Sequence, residues 1–141
     1  MNIPGVPKEG LKTVGQIVGT NELLFQAGDN ALTIATELVS SHTTGAPIVD
    51  ETGSFIGFIS EIDVLVALEC GKDLSKVTAA AIMNNSAIAV EESTTISDAI
   101  KIMAELPLLN LPVERDGKVI HSVTRHDLLR ARLGLGPDIE E

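Results

Sequence analysis

Two hydroxyl–carboxylate pairs stand sixty-four positions apart, Ser60 with Asp63 in GFISEID (57–63) and Thr124 with Asp127 in HSVTRHD (121–127). A hydroxyl followed three residues later by a carboxylate is a capping-box pattern, which ties off free N–H groups at a helix start. Capping alone contributes on the order of 1 kcal/mol per helix and needs no ligand. Asp is shorter than the Glu or Gln the box prefers, so its reach back to the N-cap amide is expected to be strained. The same corner also suits a nucleotide. A helix N-terminus offers N–H groups and partial positive charge to a phosphate, and the hydroxyl adds a donor. A carboxylate one turn in accepts hydrogen bonds from the hydroxyls of a ribose. Both readings stand for each pair.

The second copy departs from the first copy's opening glycine, with His121 in place of Gly57. Glycine permits close approach of another backbone, and a ring forbids it. Three readings of His121 follow: the imidazole narrows a cleft, donates to a phosphate, or points from the other strand face into solvent. The last asks least. Other reactive residues form no constellation. His42, His121 and His126 lack metal-ligand spacing, so no metal site is expected. Cys70, alone on an apolar helical stretch, reads as buried packing rather than a nucleophile. The chain has no G-x-S-x-G elbow, P-loop or G-x-G-x-x-G, and no carboxylate pair shows the asymmetric setting of acid–base catalysis. An enzyme is not expected.

The elements around the two corners repeat as well. Apolar residues recur at helical spacing in 32–39 (Leu32, Ala35, Leu38, Val39) and in 96–103 (Ile96, Ala99, Ile102, Met103). Each run follows a polar start, Gly28-Asp29-Asn30 or Ser93-Thr94-Thr95. Segments 46–60 and 111–124 read as strand, Gly-containing turn and strand. The closing helices, 61–71 and 125–134, each stop at a glycine. Upstream, 13–18 and 78–83 read as short helical turns leading into strands at Glu22–Phe25 and Ala87–Val90. Each half therefore runs short helix, strand, helix, strand, strand, helix.

This β-α-β-β-α unit, with its Ala-Pro-Ile or Leu-Pro-Val strand start, Gly turn and closing S/T-x-x-D, resembles the CBS domain. Two in tandem resemble a CBS pair, or Bateman module. The resemblance implies an α+β fold of two repeats packed with pseudo-two-fold symmetry. The expected division is a tail (1–12), repeat one (13–71), a linker (72–76), repeat two (77–134) and an acidic tail (135–141). Because only short tails remain, it implies a free-standing sensory module that binds adenosine-containing ligands such as AMP, ADP or ATP and signals to a separate target protein. It gives Ser60 and Thr124 to phosphate and Asp63 and Asp127 to ribose. The strand starts around Pro47 and Pro112 would offer adenine an apolar slot, and Thr20 and Ser86, after the short leading helices, join as weaker candidates. It also implies a homodimer through the closing helices, whose stretches 62–69 and 128–135 carry more apolar surface than a lone domain buries.

Charge separates the two sites. From Thr13 to Gly71 there are eight acids and no base, a net of −8; from Val77 to Gly134 there are seven acids and six bases, a net of −1. Arg125 follows Thr124 and could fork onto phosphate oxygens, or it is a solvated surface charge. Glu61 holds the same place in repeat one. A phosphate is thus expected in the second site, with adenosine or S-adenosylmethionine, or nothing, in the first.

The bulk composition agrees. An apolar fraction of 44% over 141 residues supports a packed core, filled by aliphatics because only three Phe and no Trp or Tyr are present. A net charge of −10 repels phosphate backbones and anionic lipid, so neither nucleic acid nor membrane is an expected partner. No run approaches a membrane span and the start lacks signal-peptide features, so a cytoplasmic location is expected.

Overall fold

A computed structural model describes residues 11–19, 21–106 and 108–134. It contains two like units. The first holds β1 (Phe25–Gln26), α1 (Ala31–Ser40), β2 (Gly45–Val49), β3 (Phe55–Ser60) and α2 (Glu61–Glu69). After a 3-10 turn (Leu74–Lys76) and α3 (Ala79–Ile82), the second holds β4 (Val90–Glu91), α4 (Ile96–Glu105), β5 (Asn110–Arg115), β6 (Lys118–Thr124) and α5 (Arg125–Arg132). Each unit has a three-stranded sheet, β1-β2-β3 or β4-β5-β6, in which the first pair is parallel and the second antiparallel. This is the α+β architecture of paired repeats. Even the irregularities match, with register shifts at Ile48/Val49 and at Val113/Glu114.

Local chemistry explains the hairpins and helix ends. Asp116 and Gly117 both take positive φ (53° and 78°), as a two-residue hairpin turn between right-twisted strands requires. Gly71 (φ 82°) ends α2 in a Schellman motif: its N–H donates to Leu68 O at 2.9 Å and Lys72 N–H donates to Ala67 O at 3.0 Å. Cys70 is the C-cap there and is exposed, which corrects the buried reading; the helix turns away before the thiol reaches the core.

Two further expectations need adjustment. The buried stripe of α1 is Ala31, Ile34 and Leu38, while Leu32 and Val39 are exposed. Helical periodicity admits both stripes, and the sheet behind α1 selects the first. Strands β1 and β4 are also shorter and later than expected. Only Phe25–Gln26 and Val90–Glu91 come into register with β2 and β5.

The residues before those strands serve the opposite unit. Asn21 bridges Ser122 of β6, and Asn84 bridges Phe58 of β3 with Asn84 N–H donating to Phe58 O at 2.7 Å. The leading turns cross over in the same way. Val14 and Ile17 are buried in the second unit's core beside Ile96, Leu111 and Val123. Leu74 and Ala79 are buried in the first unit's core beside Ile34, Ile48 and Ile59. Each core is completed by chain from the other half, so the two units share one folded body.

Candidate functional site

The two hydroxyl–carboxylate corners lie where an antiparallel strand runs directly into a helix. Ser60 is the last residue of β3 and the N-cap of α2; Thr124 is the same for β6 and α5. Both caps are reciprocal. Ser60 N–H and Oγ donate to Asp63 Oδ2, each at 2.9 Å, and Thr124 N–H donates to Asp127 Oδ2 at 2.9 Å. In return, Thr124 Oγ1 accepts Asp127 N–H at 3.1 Å, and Ser60 Oγ accepts Asp63 N–H at a longer 3.4 Å. Asp therefore spans the box in both helices, which corrects the expected strain. The Asp127 side chain is buried, at 3% exposure.

Each corner borders a cleft built from both units. The first cleft, about 460 Å³, has Ser60, Glu61 and Asp63 on one side, with Asn84, Ile88 and the Leu108–Asn110 approach to β5 on the other. Phe58 and Pro112 add apolar walls. The second cleft, about 490 Å³, lies between Thr124, Arg125 and His126 at the start of α5 and the Ser41–Thr44 loop, with Asn21 and Asn110. In that loop His42 is held at φ 55°, an uncommon conformation for a non-glycine residue. Arg125, His42 and His126 are exposed and, among the described residues, no carboxylate lines this cleft, whereas Glu61 and Asp63 line the first.

The sequence candidates divide accordingly. Ser60, Asp63 and Pro112 line the first cleft, and Thr124 and Arg125 line the second. Asp127 sits one turn inside, folded back on Thr124. Pro47 is fully buried and lines neither of these clefts. Ser86 is exposed on a turn, its N–H donating to Asn84 Oδ1 at 2.9 Å, while its neighbours Asn84 and Ala87 reach the first cleft. Thr20 lies outside the described residues.

His121 needs correction. It pairs with Val113 on the core-facing side of β6, and its ring packs against Gly19 rather than pointing into solvent. Among the described residues its buried Nε2 has no hydrogen-bond partner, nor has the Oγ of Ser122. Burial holds the imidazole below its ordinary pKa; Asp127 and Glu22 oppose this, and Arg115 adds to it.

Sequence reading missed Thr44, Asn84 and Asn110, as well as Asn21. The visible signal was a polar residue interrupting the apolar run Leu108-Leu109-Asn110-Leu111. Among the described residues no three metal-ligating side chains converge and no helix is long and apolar enough to cross a membrane.

Comparison with known proteins agrees with this architecture. An uncharacterised protein of Methanopyrus kandleri is 30% identical over 131 residues, covering 92% of this chain and 67% of that protein. The chloroplastic CBS domain-containing protein CBSX1 of Arabidopsis thaliana is 29% identical, covering 90% and 66%. The chain thus spans about two thirds of the length of these relatives. Among solved structures, CBSX2 in complex with AMP superposes with a TM-score of 0.74 at 29% identity, covering 86% of this chain and 96% of that one. The CBS domain pair of protein MJ0100, in complex with 5′-methylthioadenosine and S-adenosyl-L-methionine, gives 0.74 at 25% identity, covering 88% and 98%. The CBS domain profile itself matches residues 14–70 and 79–134. With a repeated sheet-and-helix unit, crossed leading segments and a profile match to both halves, the chain belongs to the CBS domain family as a tandem pair.

Proposed function

We propose that this chain is a regulatory module that binds adenosine-containing ligands in its two inter-repeat clefts and signals the bound state to a separate target protein. One observation carries the reading: each cleft is bordered by a hydroxyl-capped helix N-terminus with a carboxylate one turn in. That arrangement supplies donors for phosphate at both clefts and, in Asp63, an acceptor for ribose hydroxyls at the first, while the buried Asp127 orders the Thr124 cap. The complexes of CBSX2 with AMP and of the MJ0100 pair with adenosyl compounds support the ligand class.

The clefts differ in what they would take. The second, with Arg125, His42, His126 and the hydroxyls of Thr43, Thr44 and Thr124, suits the phosphate of AMP, ADP or ATP. The first, with Phe58, Ile88 and Pro112 beside Glu61 and Asp63, suits a ligand without phosphate: adenosine, or S-adenosylmethionine with its cationic sulfonium. The module acts by binding rather than turnover, and a ligand shifts the repeats only through its differential affinity for their arrangements. The exposed apolar residues on α2 and α5 suit a homodimer.

Calorimetry with AMP on Asp63→Ala and Asp127→Ala tests the assignment. Loss confined to Asp127→Ala is expected, and equal losses would sink the asymmetry. A thermal-shift panel of AMP, ADP, ATP, S-adenosylmethionine and NAD tests the class, and product analysis of the hits tests for turnover. Absence of any shift would leave a structural or interaction module.

A further inference from the structure

The side chain of Asn21 makes three hydrogen bonds inside the protein. Its Nδ2 donates to Gly45 O at 2.8 Å and to Asn110 Oδ1 at 3.1 Å, and its Oδ1 accepts Leu23 N–H at 3.1 Å. Asn110 Nδ2 in turn donates to Thr44 Oγ1 at 2.8 Å. Both asparagines are buried, at 5% and 4% exposure, so their amides depend on these partners rather than on bulk water.

The position of this network matters more than its existence. Gly45 is the strand partner of Ser60, the first cleft's cap. Asn110 is the strand partner of Thr124, the second cleft's cap. A continuous run of paired groups therefore joins Ser60 to Thr124 through Gly45, Asn21 and Asn110. Thr44 reinforces it, because its carbonyl accepts Glu61 N–H at 3.0 Å in the first turn of α2. Thr44 and Asn110 also line both clefts.

We propose that Asn21 and Asn110 are positioning residues that couple the two clefts, so that a ligand in either one raises the affinity of the other. The inference rests on adenosyl binding at the clefts. A ligand held by Ser60 or Thr124 restrains the adjoining strand start and, through it, the shared amide. The buried amide cannot turn without breaking the three hydrogen bonds it makes. The second ligand then meets a cleft wall already ordered and loses less conformational entropy on binding. Thermodynamic linkage requires the effect to be reciprocal.

The test is calorimetry on the full chain with S-adenosylmethionine and AMP, each titrated alone and with the other saturating. Tightening of about fivefold or more, equal in both orders, is expected for the unaltered protein. In Asn21→Ala and Asn110→Ala the ratio of each ligand's affinity with and without the other should fall to one, whatever the substitution does to either ligand binding alone, because both asparagines also line the clefts. If both ligands bind independently in the unaltered protein, coupling is overturned and the cleft assignment stands. If only one ligand binds, or neither, the two-cleft reading falls and the coupling with it. Coupling that survives both alanine variants overturns the asparagine route. Should those variants not fold, Thr44→Val, which removes the acceptor for Asn110, decides the route by the same ratio and not by either affinity alone, because Thr44 also lines both clefts.

Discussion

The His121 ring lies against Gly19, and at the equivalent place in the other half Met83 lies against Gly57. The two contacts are the same contact with its sizes exchanged. His121 corresponds to Gly57 and Met83 to Gly19, sixty-four positions apart in both cases. In one half the strand supplies the bulk and the crossing segment the glycine; in the other the roles reverse. A dense interior tolerates such a trade because it conserves local volume.

The exchange predicts unequal costs for the same substitution. A methyl group on Gly19 would collide with the His121 ring and stand 2.8 Å from the Ser122 carbonyl oxygen, neither of which yields easily. Gly19→Ala should lose about 1–3 kcal/mol of stability. On Gly57 the methyl would stand 2.7 Å from Met83 Sδ, part of a flexible thioether chain. Gly57→Ala should lose less, under about 1.5 kcal/mol. Urea denaturation of both variants checks the order, and a reversed order would refute this account.

His121 should also give the fold a pH dependence. Burial lowers its pKa in the folded protein, so as pH falls the unfolded chain takes up this proton first. Its stabilising contribution is complete above the unfolded value, roughly 6.5, and is lost as pH drops through the folded one. His121→Leu keeps the bulk against Gly19 and removes the titration and the unpartnered Nε2. Thermal melts between about pH 7 and pH 5 should be flatter for the variant; parallel curves would exclude His121 as the source.

The caps can be separated from ligand binding. Ser60→Ala and Thr124→Ala should each cost about 1 kcal/mol through the lost cap. AMP affinity should fall only for Thr124→Ala, by about tenfold for one charge-assisted hydrogen bond. Paired melts and AMP titrations read both effects, and an equal fall in affinity would contradict the placement of phosphate in the second cleft.

The exposed apolar faces of α2 and α5 predict self-association. Ile62, Leu65 and Val66 on α2 and Leu129 in the middle of α5 are all more than half exposed in the single chain (62%, 56%, 53% and 58%). Sedimentation at micromolar concentration should show a dimer, and Leu65→Arg with Leu129→Arg should give a folded monomer, since a buried unpaired charge opposes the interface. A monomeric unaltered protein would overturn the dimer.

Much of this molecule is legible without coordinates, for a physical reason. Helix positions, the Gly-containing turns, glycine stops and the capping boxes all arise between residues a few positions apart. Their types and spacing therefore determine them, and the repeat doubles the signal. The two corners and the charge difference between halves are of this kind.

Tertiary structure alone decided the rest. The choice of the Ile34 stripe over the Leu32 stripe depended on which surface the sheet offered, and the exposure of Cys70 on where α2 turned away. The crossing of the leading segments, the burial of His121 against Gly19 and the Asn21–Asn110 bond across 89 residues have no local signature. They exist because two half-cores, each incomplete, close on chain supplied by the other.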